Sequence, residues 1–460
     1  MRRFRFLIIG AGPAGLFAAR RLLDSGERDV LILEKNRWPG GLSASFLDRK
    51  GFTWDLGGHV IHSHYREYDR ILASLIPSSG WLSHRREAWI YYPDGWVPYP
   101  FQLHLDHLSP ELRERCLEGL RRAASAGKPP AATDFLSWAR SRFGEGIAAL
   151  FMEPYNRKVW RMDTARMGVY WLGDRVALPP LGRSSPASTR KDWGPNACFR
   201  FPRRGGTGAI CRRLADSLGR GRIRYGWEAV RIDTDRHVVS SRAGRRIGYD
   251  VLLSTAPLDL VSRSCRPRVK ETRAIAGRLV ATPVAVVGLG LRGPRPEKLD
   301  HVTWMYFPEK ETRIYRLTNF SRYSPANVPT GRGVWSLMLE LSALPSRVDL
   351  KALAEKAIGD IRRFGLFPKE TSVVSLWSRL LPYGYPVPMK DREGARPALL
   401  GELERRGIYS RGRFGAWLYE VGNMDHSAMQ GVEWAERMLH GAPEMTINDP
   451  RGVNAAPAGK

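Results

Sequence analysis

The sequence predicts an α/β protein that combines a nucleotide-binding lobe with a helical lobe and an antiparallel-sheet lobe. Three observations carry this. A strand, a glycine turn, a helix and a second strand open the chain; a helical periodicity begins near residue 97; and strands dominate from about 276 to 406. At 460 residues the chain also exceeds the size at which a single hydrophobic core stops growing.

Phe4 to Ile9 is an apolar, β-branched and aromatic run that reads as a buried strand. Gly10-Ala11-Gly12-Pro13-Ala14-Gly15 follows at once. Leu16 to Asp24 then reads as a helix ending near Gly26, and Val30 to Leu33 as a second buried strand with Glu34 at its end. In this Rossmann-like context Gly10 makes the turn and Gly12 admits a pyrophosphate. Gly15 lets the helix pack on the strand, and Ala14 stands in the turn of helix that faces the phosphates. Glu34 is placed to accept from a ribose hydroxyl. A second turn, Pro39-Gly40-Gly41-Leu42-Ser43, has no use in a simple dehydrogenase. In flavoproteins of the glutathione-reductase type such a turn, here Gly41 and Leu42, lies along the FAD pyrophosphate and ribityl chain. The expected cofactor therefore moves from NAD to FAD. Gly57-Gly58-His59 comes next. The adjacent glycines let backbone approach a flat ligand, because no Cβ stands in the way, and His59 can then set its carbonyl or its imidazole against that ligand.

Ser109 caps a helix with Pro110 at its first position and Gly127 past its end. Thr133 or Asp134 caps another, whose apolar face holds Phe135, Trp138, Ile147, Leu150 and Phe151 and which Pro154 closes. Residues 180–196 read as loop. Near 197 the nucleotide fold resumes, with Phe199 to Pro202, the turn Gly205-Gly206-Thr207-Gly208 and a helix to about Leu218. The strands Ala229 to Ile232 and Val251 to Ala256 follow, with Val230 expected against the cofactor. One helix near 350–364 interrupts the strands of the third lobe. The last helix follows Gly422-Asn423-Met424-Asp425, and its start can cap the flavin pyrimidine edge with backbone donors. The expected boundaries are a discontinuous FAD-binding lobe (1–96, 197–275 and 407–445), a helical substrate lobe (97–196), an antiparallel-sheet lobe (276–406) and a tail (446–460).

Composition fits a globular protein, with 43% hydrophobic and 26% charged residues. No apolar run reaches the roughly 18 residues that span a bilayer. The start, Met1-Arg2-Arg3-Phe4, leads straight into the first strand, so no signal peptide is expected and the cytoplasm is the expected location. Cys116, Cys198, Cys211 and Cys265 are irregularly spaced, without metal-ligand spacing, and no metal is expected. The net charge of +27 points to an anionic substrate. No basic run is interleaved with a nucleic-acid motif, so nucleic acid is not the expected partner.

Several long blocks resemble the UDP-galactopyranose mutases, the eukaryotic type more than the usual bacterial type. They are Trp54 to Tyr65, Trp96 to Gln102, Leu150 to Trp160, Trp171 to Ala177, Trp193 to Ala197, Phe201 to Gly208, Gly412 to Gly415, Tyr419 to Asn423, and Asp425 to Ser427. The resemblance implies a flavin-dependent ring contraction of a UDP-hexose, most simply UDP-galactose. Reduced FAD attacks the anomeric carbon through N5 and expels UDP, the sugar recloses as a furanose, and UDP returns. It further implies that Arg175 and Arg316 hold the pyrophosphate, and that Tyr99, Gln102 and Phe151, with Asn156 and Trp160 nearby, hold the uridine. Tyr306, Tyr323, Tyr385 and Tyr419 would contact the diphosphate or sugar, and Asn196 would lie beside the sugar. His59 would lie near flavin N5. His64, Arg86 and Arg413 would serve NADPH, the implied reductant. At several positions the chain departs from the family pattern. His62 stands where phenylalanine is usual, Ala88 replaces a serine, Leu418 an arginine, Met424 a glutamine and Ala428 a phenylalanine. A monomer or dimer is expected. The alternatives are a mutase for another nucleotide sugar, an FAD oxidase of the amine-oxidase or protoporphyrinogen-oxidase type, and a non-catalytic flavoprotein. Such oxidases usually carry arginine where this chain has Leu42.

Overall fold

The computed structural model describes residues 1–92, 95–127, 131–173, 176–177, 194, 196–267, 270–343 and 348–455. Two large sheets organise it. The first has eight strands in the order Cys265–Arg266, Ala229–Asp233, Val238–Ser241, Arg246–Ser254, Arg3–Ile9, Val30–Leu33 and Ile223–Arg224, with Ile408–Ser410 also on Arg246–Ser254. Its centre is parallel. Leu7, Ile8, Leu31 and Ile32 are buried, as expected where helices cover both faces. The helix Pro13–Asp24 follows the first strand, with Pro13 in its opening turn and no side chain capping it. It packs along Met424–His440. Gly431 makes this close approach possible, since a Cβ there would stand 2.0 Å from the Ala14 carbonyl oxygen. Both helices start at the same cavity, lined by Gly12, Pro13, Asn423 and Met424.

The second sheet has seven strands in the order Ser372–Pro386, Ala281–Arg292, Val334–Ser342, Ile314–Thr318, Trp304–Tyr306, Ala88–Tyr92 and Gly95–Pro98. It is antiparallel apart from the pairing of Trp304–Tyr306 with Ala88–Tyr92. Gly288 and Gly290 clear room for the indole of Trp54 and the ring of Phe52, which would lie 2.4 and 2.5 Å from Cβ atoms at those positions. The segment leading to the Gly-Gly-His loop is thereby pressed onto this sheet.

The helical lobe holds Pro110–Ser125, Phe135–Ile147 and Glu153–Trp160. Asp134 caps the second, accepting from the Ser137 amide at 2.8 Å, whereas the Ser109 side chain caps nothing. Pro154 does not close the second helix. It lies in the first turn of the third, where its missing N–H costs nothing. Ala148–Met152 forms a π turn between the two.

The expected lobe boundaries divide elements that pack together. Ala88–Tyr92 and Gly95–Pro98 complete the seven-stranded sheet. A helix not expected from the sequence, Arg392–Glu404, buries Ala395, Leu399 and Leu403 in the core of the nucleotide lobe. Its apolar positions are few and Pro397 lies inside it, which weakens the helical pattern.

Gly431→Ala should force the two cavity-facing helices apart. The expected loss is about 1–3 kcal/mol, read as a lower thermal-unfolding midpoint together with weaker flavin retention. An unchanged midpoint would show that the backbones are not in close contact.

Candidate active site

One cavity of about 920 Å³ runs between the two sheets and the helical lobe. Along one limb the two glycine turns meet. A Cβ at Gly41 would stand 3.4 Å from Gly12 Cα, and the Gly40 amide donates to the Ala11 carbonyl at 2.7 Å. A Cβ at Gly12 would meet no protein atom within 4 Å and would project into the cavity. Glu34 accepts from the amides of Ala11 and Asn36 and from the Asn36 side chain, each at 2.8 Å. An ionised carboxylate has acceptor capacity left for a further donor. This limb presents the amides of an uncapped helix N-terminus, bare backbone and one acceptor carboxylate, the polar groups of a dinucleotide cradle.

At the centre lies the Gly-Gly-His loop. Gly57 has φ +141°, and a Cβ on Gly58 would fall 2.4 Å from Thr318 Oγ1. The Gly58 amide donates to Glu340 Oε1 at 2.7 Å. Arg316 donates to the same oxygen from Nε at 2.9 Å and from Nη2 at 2.5 Å, and Tyr315 Oη donates to Oε2 at 2.9 Å. Neighbouring residues on a strand normally point to opposite faces. Here a register shift between Ile314 and Arg316 places one extra residue opposite Val334–Ser342. That bulge lets both Tyr315 and Arg316 reach one carboxylate. Burial would raise the Glu340 pKa, but the Arg316 guanidinium and the Gly58 amide overcome it and hold the carboxyl below its ordinary range. Asp55 anchors the approach to the loop, accepting from the Thr207 amide and hydroxyl at 3.2 and 2.9 Å. Burial pushes its pKa up to about 6.

His59 faces the cavity, and its Nδ1 is buried without a hydrogen-bond partner. Burial lowers its pKa to about 4, with the Glu340 carboxylate pulling the other way. The ring is therefore neutral at physiological pH. Together with the bare backbone at Gly12, that orphaned nitrogen fits an absent planar ligand.

The far limb is aromatic. Tyr306 lies 5.2 Å from the Tyr99 ring and 5.4 Å from Tyr155, which stacks on Phe151 at 5.3 Å. Trp160 meets Tyr419 at 4.8 Å and Tyr385 at 5.7 Å, and its Nε1 donates to Asn156 Oδ1 at 3.0 Å. Gln102 Nε2 donates to the Ala177 carbonyl at 2.7 Å. Arg86 donates to Asn196 Oδ1 at 2.7 Å and covers the Tyr99 ring. Arg413 lies over Tyr385 and Tyr419 and donates to the Gly422 carbonyl at 2.9 Å.

The sequence matches the flavin-containing amine oxidoreductase family over residues 13–439. A solved structure of reduced UDP-galactopyranose mutase is 41% identical over 99% of this chain and 98% of that one, with a TM-score of 0.93. The chain belongs to this flavoprotein family and, within it, to the UDP-galactopyranose mutases. Cyclohexylamine oxidase from Brevibacterium oxydans IH-35A is 17% identical over 95% of this chain and 98% of that one, with a TM-score of 0.66, and shares the fold alone. The zeta-carotene-forming phytoene desaturase of Myxococcus xanthus is 46% identical over 57 residues, 12% of this chain and 11% of that protein. The zeta-carotene desaturase of Solanum lycopersicum is 40% identical over 73 residues, 16% of this chain and 12% of that protein.

In this mutase-family chain the residues singled out from the sequence fall into three groups. Gly10, Gly12, Ala14, Glu34, Gly41, Leu42, Gly57, Gly58, His59, Tyr99, Gln102, Phe151, Asn156, Trp160, Asn196, Tyr306, Arg316, Tyr385, Arg413, Tyr419, Gly422, Asn423 and Met424 all line the cavity. Gly15, Val230, Tyr323, His64 and Arg86 do not. Gly15 sits under the turn, where a Cβ would lie 2.0 Å from the Gly10 carbonyl oxygen. Val230 is exposed, and its neighbours Ala229 and Ile232 supply the lining instead. Tyr323 packs beside Phe199 and Phe201. His64 faces Asp425 across 2.7 Å, and Arg86 reaches the site through Asn196. Arg175 lies outside the described residues.

Sequence reasoning missed Glu340, Tyr155 and Tyr315, which also line the cavity. Glu340 had a signal: it is the one charged residue in Val334–Ser342, a strand buried almost throughout. A carboxylate in such a place must have partners.

Because His59 stays neutral in the fold but protonates near 6.5 in the unfolded chain, the unfolded state binds more protons between about 4 and 6.5. Stability should therefore rise with pH across that window. Thermal midpoints of His59→Asn should show a shallower rise than wild type; parallel curves would refute the buried neutral ring.

Proposed function

We propose that the chain interconverts the pyranose and furanose forms of a UDP-hexose, UDP-galactose foremost, with FAD in its reduced state. The observation that carries this is Arg316, fixed by the buried Glu340 and facing the same cavity as the Gly-Gly-His loop and the double glycine cradle. An oxidase acting on an amine or a hydrocarbon needs no guanidinium at that place. A departing diphosphate does, because charge develops on its oxygens as the glycosidic bond breaks.

The residues of the first limb would hold FAD. Gly12 and the start of Pro13–Asp24 would take the pyrophosphate, Glu34 the ribose, and Gly41 and Leu42 the ribityl chain. Asn423 and Met424 would present helix N-terminal amides to the pyrimidine edge. Reduced flavin, when bound, supplies a nucleophilic ring nitrogen, so that the ring contraction runs with no net redox change. His59, neutral and with an unpaired Nδ1, can hold a proton-bearing edge of the ring without adding charge. Arg316 would orient the diphosphate and stabilise it as it leaves. Arg175, carried over from the family resemblance, would be its second cation. Tyr99, Gln102 and Phe151, with Asn156 and Trp160, would form the uridine wall, where stacked rings and one amide discriminate a flat base. Tyr306, Tyr385, Tyr419 and Asn196 would surround the diphosphate and sugar and exclude water. NADPH would be the reductant, approaching by His64, Arg86 and Arg413. The cytoplasm is the proposed location.

The test is to incubate the flavoprotein with UDP-galactopyranose and a panel of UDP-hexoses, oxidised or after reduction by dithionite or NADPH, and to separate pyranose from furanose products. Product should form only with reduced flavin. Arg316→Lys keeps the charge but loses the fork, and should lower kcat/KM at least about 100-fold with flavin still bound. Turnover by oxidised enzyme, oxygen uptake without a nucleotide sugar, or a fully active lysine variant would overturn the reading.

A further inference from the structure

His62, His64 and Asp425 converge at the rim of the cavity, outside the set that faces the sugar and its diphosphate. One ligand atom from each lies within 4.8 Å of the other two. Among the described residues no other three His, Cys, Asp or Glu side chains come together in this way. The two imidazoles come from the loop that follows Gly57-Gly58-His59, in alternate positions, and meet edge to face with ring centroids 5.6 Å apart. Asp425 comes from the first turn of Met424–His440. Its Oδ2 lies 2.7 Å from His64 Nδ1, and both side chains are shielded from solvent, at 1% and 5% exposure. His62 itself lines the cavity and places Nε2 3.3 Å from Asn423 Nδ2.

We propose that these three side chains form a binding site for a divalent transition-metal cation of the zinc class. Two imidazoles and a carboxylate are the ligand types that such ions take in three-ligand sites, with the fourth position left open. Here the fourth position would face the cavity beside His62. Ligand atoms around zinc at about 2.0–2.1 Å stand about 3.4 Å apart in a tetrahedron. The three ligand atoms stand within 4.8 Å of one another, so a cation would draw the widest pair together by up to about 1.4 Å. The His64–Asp425 pair is hydrogen-bonded at 2.7 Å and would open by roughly 0.7 Å to admit the cation. His426 stacks on His64 at 4.7 Å, and its Nδ1 stands 3.5 Å from Asp425 Oδ1 without a hydrogen bond between them. The cation would bridge the Gly-Gly-His segment and the helix that starts at the cavity, and so tie together the two pieces of chain that meet at this rim. The cation takes no part in the ring contraction, although its ligand His64 is also one of the residues proposed above for the approach of NADPH.

Holoenzyme dialysed against a chelator and then titrated calorimetrically with zinc chloride should bind one equivalent. Loss of even an outer partner weakens metal sites by about 10–100-fold. Removing a ligand should therefore weaken the site at least about tenfold in both His62→Phe, which keeps a ring, and His62→Gln, which keeps polarity. Flavin absorbance reports that each variant is folded. A zinc-edge anomalous peak in crystals of the wild type should fall among the three side chains. The absence of saturable binding, variants that bind as wild type does, or a peak elsewhere would each overturn the proposal.

Discussion

The buried carboxylate of Glu340 is the constraint on which the arrangement of the site depends. Taking a carboxylate out of water costs several kcal/mol unless donors surround it. Glu340 has the Gly58 amide, the Arg316 guanidinium and the Tyr315 hydroxyl around it. These partners come from separate parts of the fold. Gly58 belongs to the segment that leaves the nucleotide lobe, while Arg316 and Tyr315 belong to the neighbouring strand of the seven-stranded sheet. Meeting Glu340 thus fixes the loop, the cation and the strand register at once. It also explains the bulge at Ile314–Arg316, because a regular strand would turn one of the two side chains away.

Around that centre the same economy recurs. The two helices that start at the cavity are held in contact where Gly431 meets the Ala14 carbonyl. Neither start is capped by a side chain, so both can offer amides to a ligand. Gly412 donates to Gln430 Oε1, and Gln430 Nε2 donates to the Val421 carbonyl. The turn before the second helix is thereby anchored to the helix itself. Glu420 and Arg392 form a further buried pair behind Tyr419, at 2.6 Å. At Glu340 and at Glu420 alike, a buried carboxylate is paired with an arginine.

Much of this was legible in the residues. The strand Val30–Leu33 and the turn–helix succession were readable because local pattern and glycine chemistry agree there. The cavity-lining aromatics were readable as blocks of family resemblance. Other features depend on pairing between distant segments and leave little local trace. Strand bulges are of this kind, as is the join of Ala88–Tyr92 and Gly95–Pro98 to a sheet whose other strands lie beyond residue 300 or just before it. A register shift between Ala229 and Arg231 breaks the alternation at Val230, so Ala229 and Ile232 face the cavity while Val230 is exposed. Glu340 was the readable exception that was passed over, a single charge in an apolar strand.

The pairing of Arg316 with Glu340 can be tested by a double-mutant cycle read in thermal or denaturant unfolding. Arg316→Ala alone leaves a carboxylate buried without its cation and should cost about 3 kcal/mol or more. Adding Glu340→Gln removes that charge and should restore much of the loss, so that the double variant is more stable than Arg316→Ala. Strictly additive losses would contradict the account, because they would mean that the carboxylate does not depend on the guanidinium it faces.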